Sequence, residues 1–134
     1  MERNHINWFP GHMNKAIKEI KKKIKSVNIV IEVRDARAPM VSGNKASYSD
    51  SAQKPYLIVL NKTNLADPKA VELWKEWLTK KEESFIFINA LDKNSIKAII
   101  ERARQVLHAH RLKSNANIEQ KNNMKLMILG LPNT

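Results

Sequence analysis

The 134-residue chain predicts an α/β fold, a parallel sheet of about four strands with flanking helices. Four short apolar runs, at 28–33, 56–60, 85–88 and 125–129, are the first reason. The second is that segments of helical periodicity separate them, and strands joined through helices run parallel. The third is that a polar motif begins where each run ends: Asp35-Ala36-Arg37, Asn61-Lys62, Asn89-Ala90 and Gly130. In parallel sheets ligands gather at the carboxyl ends of the strands. The four loops are therefore expected to meet along one rim.

The elements follow in order. Met13, Ala16, Ile17, Ile20, Ile24 and Val27 recur at helical spacing, while Lys15, Lys18, Lys22 and Lys25 take the other side. The run 28–33 is rich in β-branched residues and reads as a buried strand. Segment 42–53 is polar and Ser-rich, a loop or a weak helix. Pro55 introduces the second strand. Asp67-Pro68 then supplies a helix N-cap and a first-turn proline, ahead of an apolar face made by Val71, Trp74, Trp77 and Leu78. After the third strand, Ile96, Ile99, Ile100, Ala103, Val106 and Leu107 mark a long helix. Segment 111–123 is polar and reads as a linker within a single domain spanning 1–134. No internal repeat is evident.

Composition excludes several classes. Hydrophobic residues make up 43% of the chain, enough for a folded core. With no cysteine there are no disulfides and no thiolate metal sites. No apolar stretch reaches the roughly 18 residues of a membrane span, and the first residues lack an apolar signal core. The expectation is a cytoplasmic protein without a membrane partner. Twenty-four Lys and Arg against 13 Asp and Glu leave a net charge of +11. Such a surface attracts polyanions, nucleic acid above all, although a solvated lysine-rich surface explains the same letters.

The motifs together carry a resemblance. Trp8-Phe9-Pro10-Gly11-His12-Met13 with Lys15-Ala16, Val33-Arg34-Asp35-Ala36-Arg37-Ala38-Pro39, Asn61-Lys62, and Gly130-Leu131-Pro132-Asn133 come in one order along nearly the whole chain. In this it resembles the circularly permuted ribosome-assembly GTPases of the YlqF/RbgA type, in which the base-reading loop precedes the phosphate loop. The resemblance implies GTP or GDP binding with Mg²⁺, hydrolysis stimulated by the ribosome, and a part in maturing the large subunit with ribosomal RNA as a contact. It also implies that the chain is the N-terminal portion of such a protein, an incomplete circularly permuted P-loop GTPase domain.

Each motif has a physical task. A guanine-reading Asn-Lys-x-Asp loop uses its carboxylate to accept from two base N–H groups, its Asn to contact N7 or brace neighbouring loops, and its Lys stem to pack along the base. Here the motif is Asn61-Lys62-Thr63-Asn64. An amide at Asn64 accepts one proton and donates another, so it suits xanthine better than guanine. Weakened GTP preference and improved XTP binding are expected; the plain alternative is a polar turn leading to the Asp67 cap. Asn89-Ala90-Leu91 stands where the family offers a main-chain amide to guanine O6.

A full phosphate loop reads Gly-x-x-x-x-Gly-Lys-Ser/Thr, its amides and Lys holding phosphates and its hydroxyl holding Mg²⁺. Gly130, Leu131, Pro132, Asn133 and Thr134 supply its first five positions. No metal ligand is assigned in this chain, and the polypeptide by itself is not expected to hydrolyse GTP. The resemblance gives His12 a hydrolytic role; a histidine buttressing the helix beside Trp8 and Phe9 is the alternative. His108 and His110, two apart on a helix, do not face one ligand.

Asp35 and Arg37 are either a brace for the rim or a structural ion pair. Lys15, Lys18, Lys22 and Lys25 are candidate contacts to an RNA backbone. A strand at 125–129 is expected to lie at a sheet edge with poorly covered apolar residues, inviting self-association. Besides a nucleotide-binding protein, two readings stand open: a basic RNA- or ribosome-binding module without nucleotide chemistry, and a fragment that a separate chain completes.

Overall fold

The computed structural model describes residues 10–40, 54–113 and 124–130, with the side chains of 10–14 and Ile17 outside the described residues. The chain order is α1 (Pro10–Ile24), β1 (Ile29–Asp35), β2 (Tyr56–Asn61), a 3₁₀ turn (Thr63–Leu65), α2 (Pro68–Lys80), β3 (Phe85–Phe87), α3 (Ser95–Lys113) and β4 (Leu126–Gly130). The four strands form one parallel sheet in the order β3-β2-β1-β4. The expected architecture is therefore present. Segment 42–53 lies outside the described residues.

Alternation along the strands divides the core into two layers. Ile29 and Ile31 of β1, with Leu57 and Val59 of β2, pack on one face against Ala103 and Val106 of α3. On the other face Ile58 and Leu60 pack with Ala36 and with Leu78 of α2. Helices on both faces explain why β1 and β2 read as continuous apolar runs rather than alternating ones. Each fully buried Ile, Leu or Val there contributes about 1.5–3 kcal/mol relative to exposure.

Local chemistry sets the element ends. The Asp67 side chain accepts from the Lys69 N–H at 3.1 Å, and Pro68 occupies the first turn of α2. That is the cap the sequence predicts. At the other end, Glu82 and Glu83 donate their N–H groups to the carbonyls of Thr79 and Leu78, with Glu82 in the left-handed region at φ 57°. This is a Schellman ending built without glycine, at a steric cost of about 1–2 kcal/mol.

Some expectations shift. Helix α1 stops at Ile24, and Val27 lies in the turn beyond it, where Ser26 donates back to the Lys23 carbonyl. Helix α3 continues to Lys113, so the first three residues of the expected linker are helical; 114–123 lie outside the described residues. Ile96 is 69% exposed and Trp77 37%, so neither is a core residue. Ile96 sits in the first turn of α3, where only one side meets the sheet.

The β1 run also holds a charged pair that apolar periodicity does not announce. Glu32 and Arg34 are 1% and 6% exposed. Arg34 donates through Nε and Nη2 to Glu32 Oε1, at 3.1 and 2.8 Å, and through Nη1 to the Pro39 carbonyl at 3.3 Å. It thereby ties the loop after β1 back onto its own strand. At the sheet's edge β4 pairs with β1 alone among the described strands, and Ile128 is 64% exposed. The expected open edge is there, while Met124 and Leu126 pack against the α3-side core.

A candidate nucleotide rim at the carboxyl ends of the strands

The pairing register builds the site. Asp35, last in β1, lies opposite Asn61, last in β2, and Val33 lies opposite Gly130, last in β4. Leu60 lies opposite Phe87 at the end of β3. Asp35, Asn61, Asn89 and Gly130 therefore reach the same end of the sheet, as the motif positions predict. Leu131, Pro132, Asn133 and Thr134 lie outside the described residues.

Hydrogen bonds join three of these loops. The Asn61 carbonyl accepts from the Ala36 N–H at 2.8 Å. Its side-chain Oδ1 accepts from the Ala90 N–H at 3.0 Å. Thr63 spans the same gap lower down: its N–H and its hydroxyl donate to the Ile88 carbonyl at 3.1 and 2.8 Å. Asn61 is thus the brace between loops that the motif allows. Asn89 shapes its own loop, its Oδ1 accepting from the Leu91 N–H at 3.1 Å. The resemblance expects a main-chain amide here to meet a base oxygen. In this structure the Ala90 and Leu91 amides donate to the side chains of Asn61 and Asn89.

Lys62 turns the chain between Asn61 and Thr63. Its backbone is left-handed, φ 64°, unusual for a residue with a long side chain. Strain at such a position is tolerated where surrounding contacts over-determine it. Here the Thr63 bonds hold one side, and the Lys62 ammonium lies 3.8 Å from Asp35 Oδ2 on the other. Asn64, in the 3₁₀ turn, is exposed.

Asp35 and Arg37 form the ion pair that was one of the two sequence readings. Arg37 donates Nη2 to Asp35 Oδ2 at 2.6 Å, Nε to Oδ1 at 3.0 Å, and its backbone N–H to Oδ1 at 2.9 Å. The Arg37 hydrogen bonds, chiefly that of its side chain, lower the Asp35 carboxyl to about 2. The same pair raises Arg37 above its ordinary value. Because Asp35 also faces Lys62, the pair belongs to the rim as well as to its own turn.

Other expected residues stand apart. Lys15, Lys18, Lys22 and Lys25 are exposed along and just after α1. His12 falls in the first turn of α1, and its side chain lies outside the described residues. Among the described residues no three or more His, Asp or Glu side chains come together as a metal site. Among the described residues two hollows, of about 410 and 430 Å³, are lined by none of residues 35–37, 61–64 and 89–91. In the first, at the opposite end of the sheet, Lys54 and Arg102 are committed to the carbonyls of Val27 and Phe85.

Comparison with known proteins accords with this geometry. No protein-family model matches the chain. It is 33% identical over 128 residues to ribosome biogenesis GTPase A of Bacillus pumilus, covering 96% of this chain and 45% of that protein. To mitochondrial ribosome-associated GTPase 1 of Mus musculus it is 34% identical over 127 residues, covering 94% and 38%. The crystal structure of GNP-bound YlqF from T. maritima matches with a TM-score of 0.61 and 27% identity, covering 90% of this chain and 43% of that one. The chain is homologous to the YlqF-type ribosome biogenesis GTPases. It spans less than half the length of these relatives. A second YlqF structure, bound to GDP, gives the same TM-score at 29% identity. Among the described residues no helix is long and apolar enough to cross a membrane.

The bridge from Thr63 to the Ile88 carbonyl and the Asp35–Lys62 contact are roles that the motif reading did not give these residues. The sequence signal for the Thr63 bridge is a hydroxyl two residues after the strand-end Asn61, within reach of a neighbouring carbonyl.

The Asp35 pKa carries a stability consequence. Its folded value, about 2, is below the ordinary 3.8, so its contribution is complete above pH 4 and is lost as pH falls toward 2. Urea unfolding of the native sequence and of Asp35→Asn should show a stability gap at pH 5–7 that narrows between pH 4 and 2. Parallel curves over that range would contradict the assignment.

Proposed function

We propose that this chain binds a guanine-type nucleotide at the rim and works in assembly of the large ribosomal subunit. The observation that carries the reading is the Asn61–Ala90 hydrogen bond, which couples the two loops whose sequences match base-reading motifs. The names of its relatives, and the nucleotides in the titles of its structural neighbours, support the same reading.

Base recognition falls to Asn61, Lys62, Thr63 and Asn64 from one loop and to Asn89 and Ala90 from the other. Gly130, Leu131, Pro132, Asn133 and Thr134 begin the phosphate side. A full phosphate loop continues into Gly-Lys-Ser/Thr, whose lysine and hydroxyl hold phosphate and Mg²⁺. We assign nucleotide binding to these loops, and no chemical step is given to His12. Asn64 carries the altered specificity: its amide cannot accept from both guanine N–H groups, and a mispaired donor costs about 1–3 kcal/mol.

The exposed lysines Lys15, Lys18, Lys22 and Lys25, on a chain of net charge +11, favour a second contact with ribosomal RNA through phosphates. The open edge of β4 is where self-association is placed. Relatives named from bacteria and from mitochondria support a place beside a ribosome, and we read the bacterial alternative as the cytoplasm.

Titration with GDP, GTP and XTP, with and without Mg²⁺, tests the nucleotide reading. Asn64→Asp should raise the GTP-to-XTP affinity ratio about ten-fold or more; unchanged GTP affinity would overturn the specificity assignment. Failure of all three nucleotides to bind would leave the RNA-binding reading in its place. For that contact, filter binding to ribosomal RNA between 50 and 200 mM salt should weaken steeply, and less so after Lys18 and Lys22 are changed to Gln. An unaltered salt slope would remove α1 from the interface.

A further inference from the structure

The geometry points to Asp35 as a positioning residue for the base-reading loop, acting through Lys62 rather than by touching nucleotide. The inference rests on the nucleotide reading above and gives that site a residue outside its two base-reading loops.

Three observations carry it. Asp35 is the in-register neighbour of Asn61 on the adjacent strand, so its side chain is delivered by the sheet itself and not by a mobile loop. Its Oδ2 faces the Lys62 ammonium at 3.8 Å, an ion contact rather than a hydrogen bond. Arg37 grips both carboxylate oxygens from the other side, which fixes where the negative charge points.

Lys62 is the residue that needs such fixing. Its left-handed backbone sets the direction of Asn61 on one side and Thr63 on the other. Its four-carbon stem is the flexible part of the loop, and ordering it in advance reduces the entropic cost of closing on a base. The order Arg37–Asp35–Lys62 thus links the loop after β1 to the loop after β2. Asn61 and Ala90 extend the link to the loop after β3. A carboxylate serving only its own turn would be satisfied by the Arg37 backbone N–H alone and would have no energetic tie to Lys62.

A double-mutant cycle separates the two roles. GDP affinity is measured for the native chain, Asp35→Asn, Lys62→Met and the double variant. Asp35→Asn should weaken GDP binding about two- to five-fold, and should weaken it no further when Lys62 is already Met. Asp35→Glu, which keeps a carboxylate, should recover most of the loss. If Asp35→Asn does not fold, Arg37→Gln replaces it in the same cycle with the same expected non-additivity. Equal losses in both Lys62 backgrounds would overturn the assignment.

Amide hydrogen exchange without nucleotide gives an independent arm. The Ala90 and Thr63 amides should exchange faster in Asp35→Asn and in Lys62→Met, with no extra gain in the double variant. Exchange unchanged in Asp35→Asn would also overturn it. Should GDP not bind the native chain, the nucleotide reading fails, and the exchange cycle alone still decides whether Asp35 holds the loop through Lys62.

Discussion

The parallel register of β1 against β2 is the constraint on which the rest depends. With Asp35 opposite Asn61, two polar strand ends, far apart in sequence, become neighbours across a strand spacing of about 5 Å. A slip of one residue would turn Ile29 and Ile31 from the α3 face to the α2 face and send Glu32 and Arg34 the other way. The apolar identity of both faces therefore fixes the register. The register in turn fixes which side chains meet at the rim. Core packing and site geometry are one decision here.

The buried Glu32–Arg34 pair shows how that decision is protected. Two charges taken out of water are expensive, and their attraction offsets the cost only with good geometry and further hydrogen bonds. Arg34 has both: two donations to Glu32 and a third to the Pro39 carbonyl. Removing either partner would strand a charge beneath the first rim loop. The pair is thus better understood as locating residues 36–39 than as adding stability. Thr63 does the corresponding job between β2 and β3 with a hydroxyl and an amide directed at one carbonyl.

Much of this was legible in the sequence. Apolar runs and helical spacing mark all four strands and the three helices, because burial against the sheet demands apolar side chains. Asp67-Pro68 announces a helix start, because capping is local chemistry. The convergence of Asn61, Asn89 and Gly130 follows from parallel topology. What was not legible depends on distance in space. Glu32 and Arg34 look like solvated charges until the α2 side of the sheet is seen to be covered. Ile96 and Trp77 match a periodic template, yet Ile96 is mostly exposed and Trp77 is only partly covered, by Trp74 and Lys81. The Asp35–Lys62 contact spans two loops, and the occupation of the Ala90 and Leu91 amides depends on side-chain rotamers that no motif records.

The account's central claim is that a base docks where the loops after β1, β2 and β3 converge. The most direct test is an amide chemical-shift map of the ¹⁵N-labelled chain titrated with GDP. Shifts concentrated at 35–37, 61–64 and 89–91, with 54–56, 82–84 and 109–113 at the opposite end unmoved, are the predicted result. Shifts centred on that opposite end, or spread evenly over the lysine-rich surface, would contradict it.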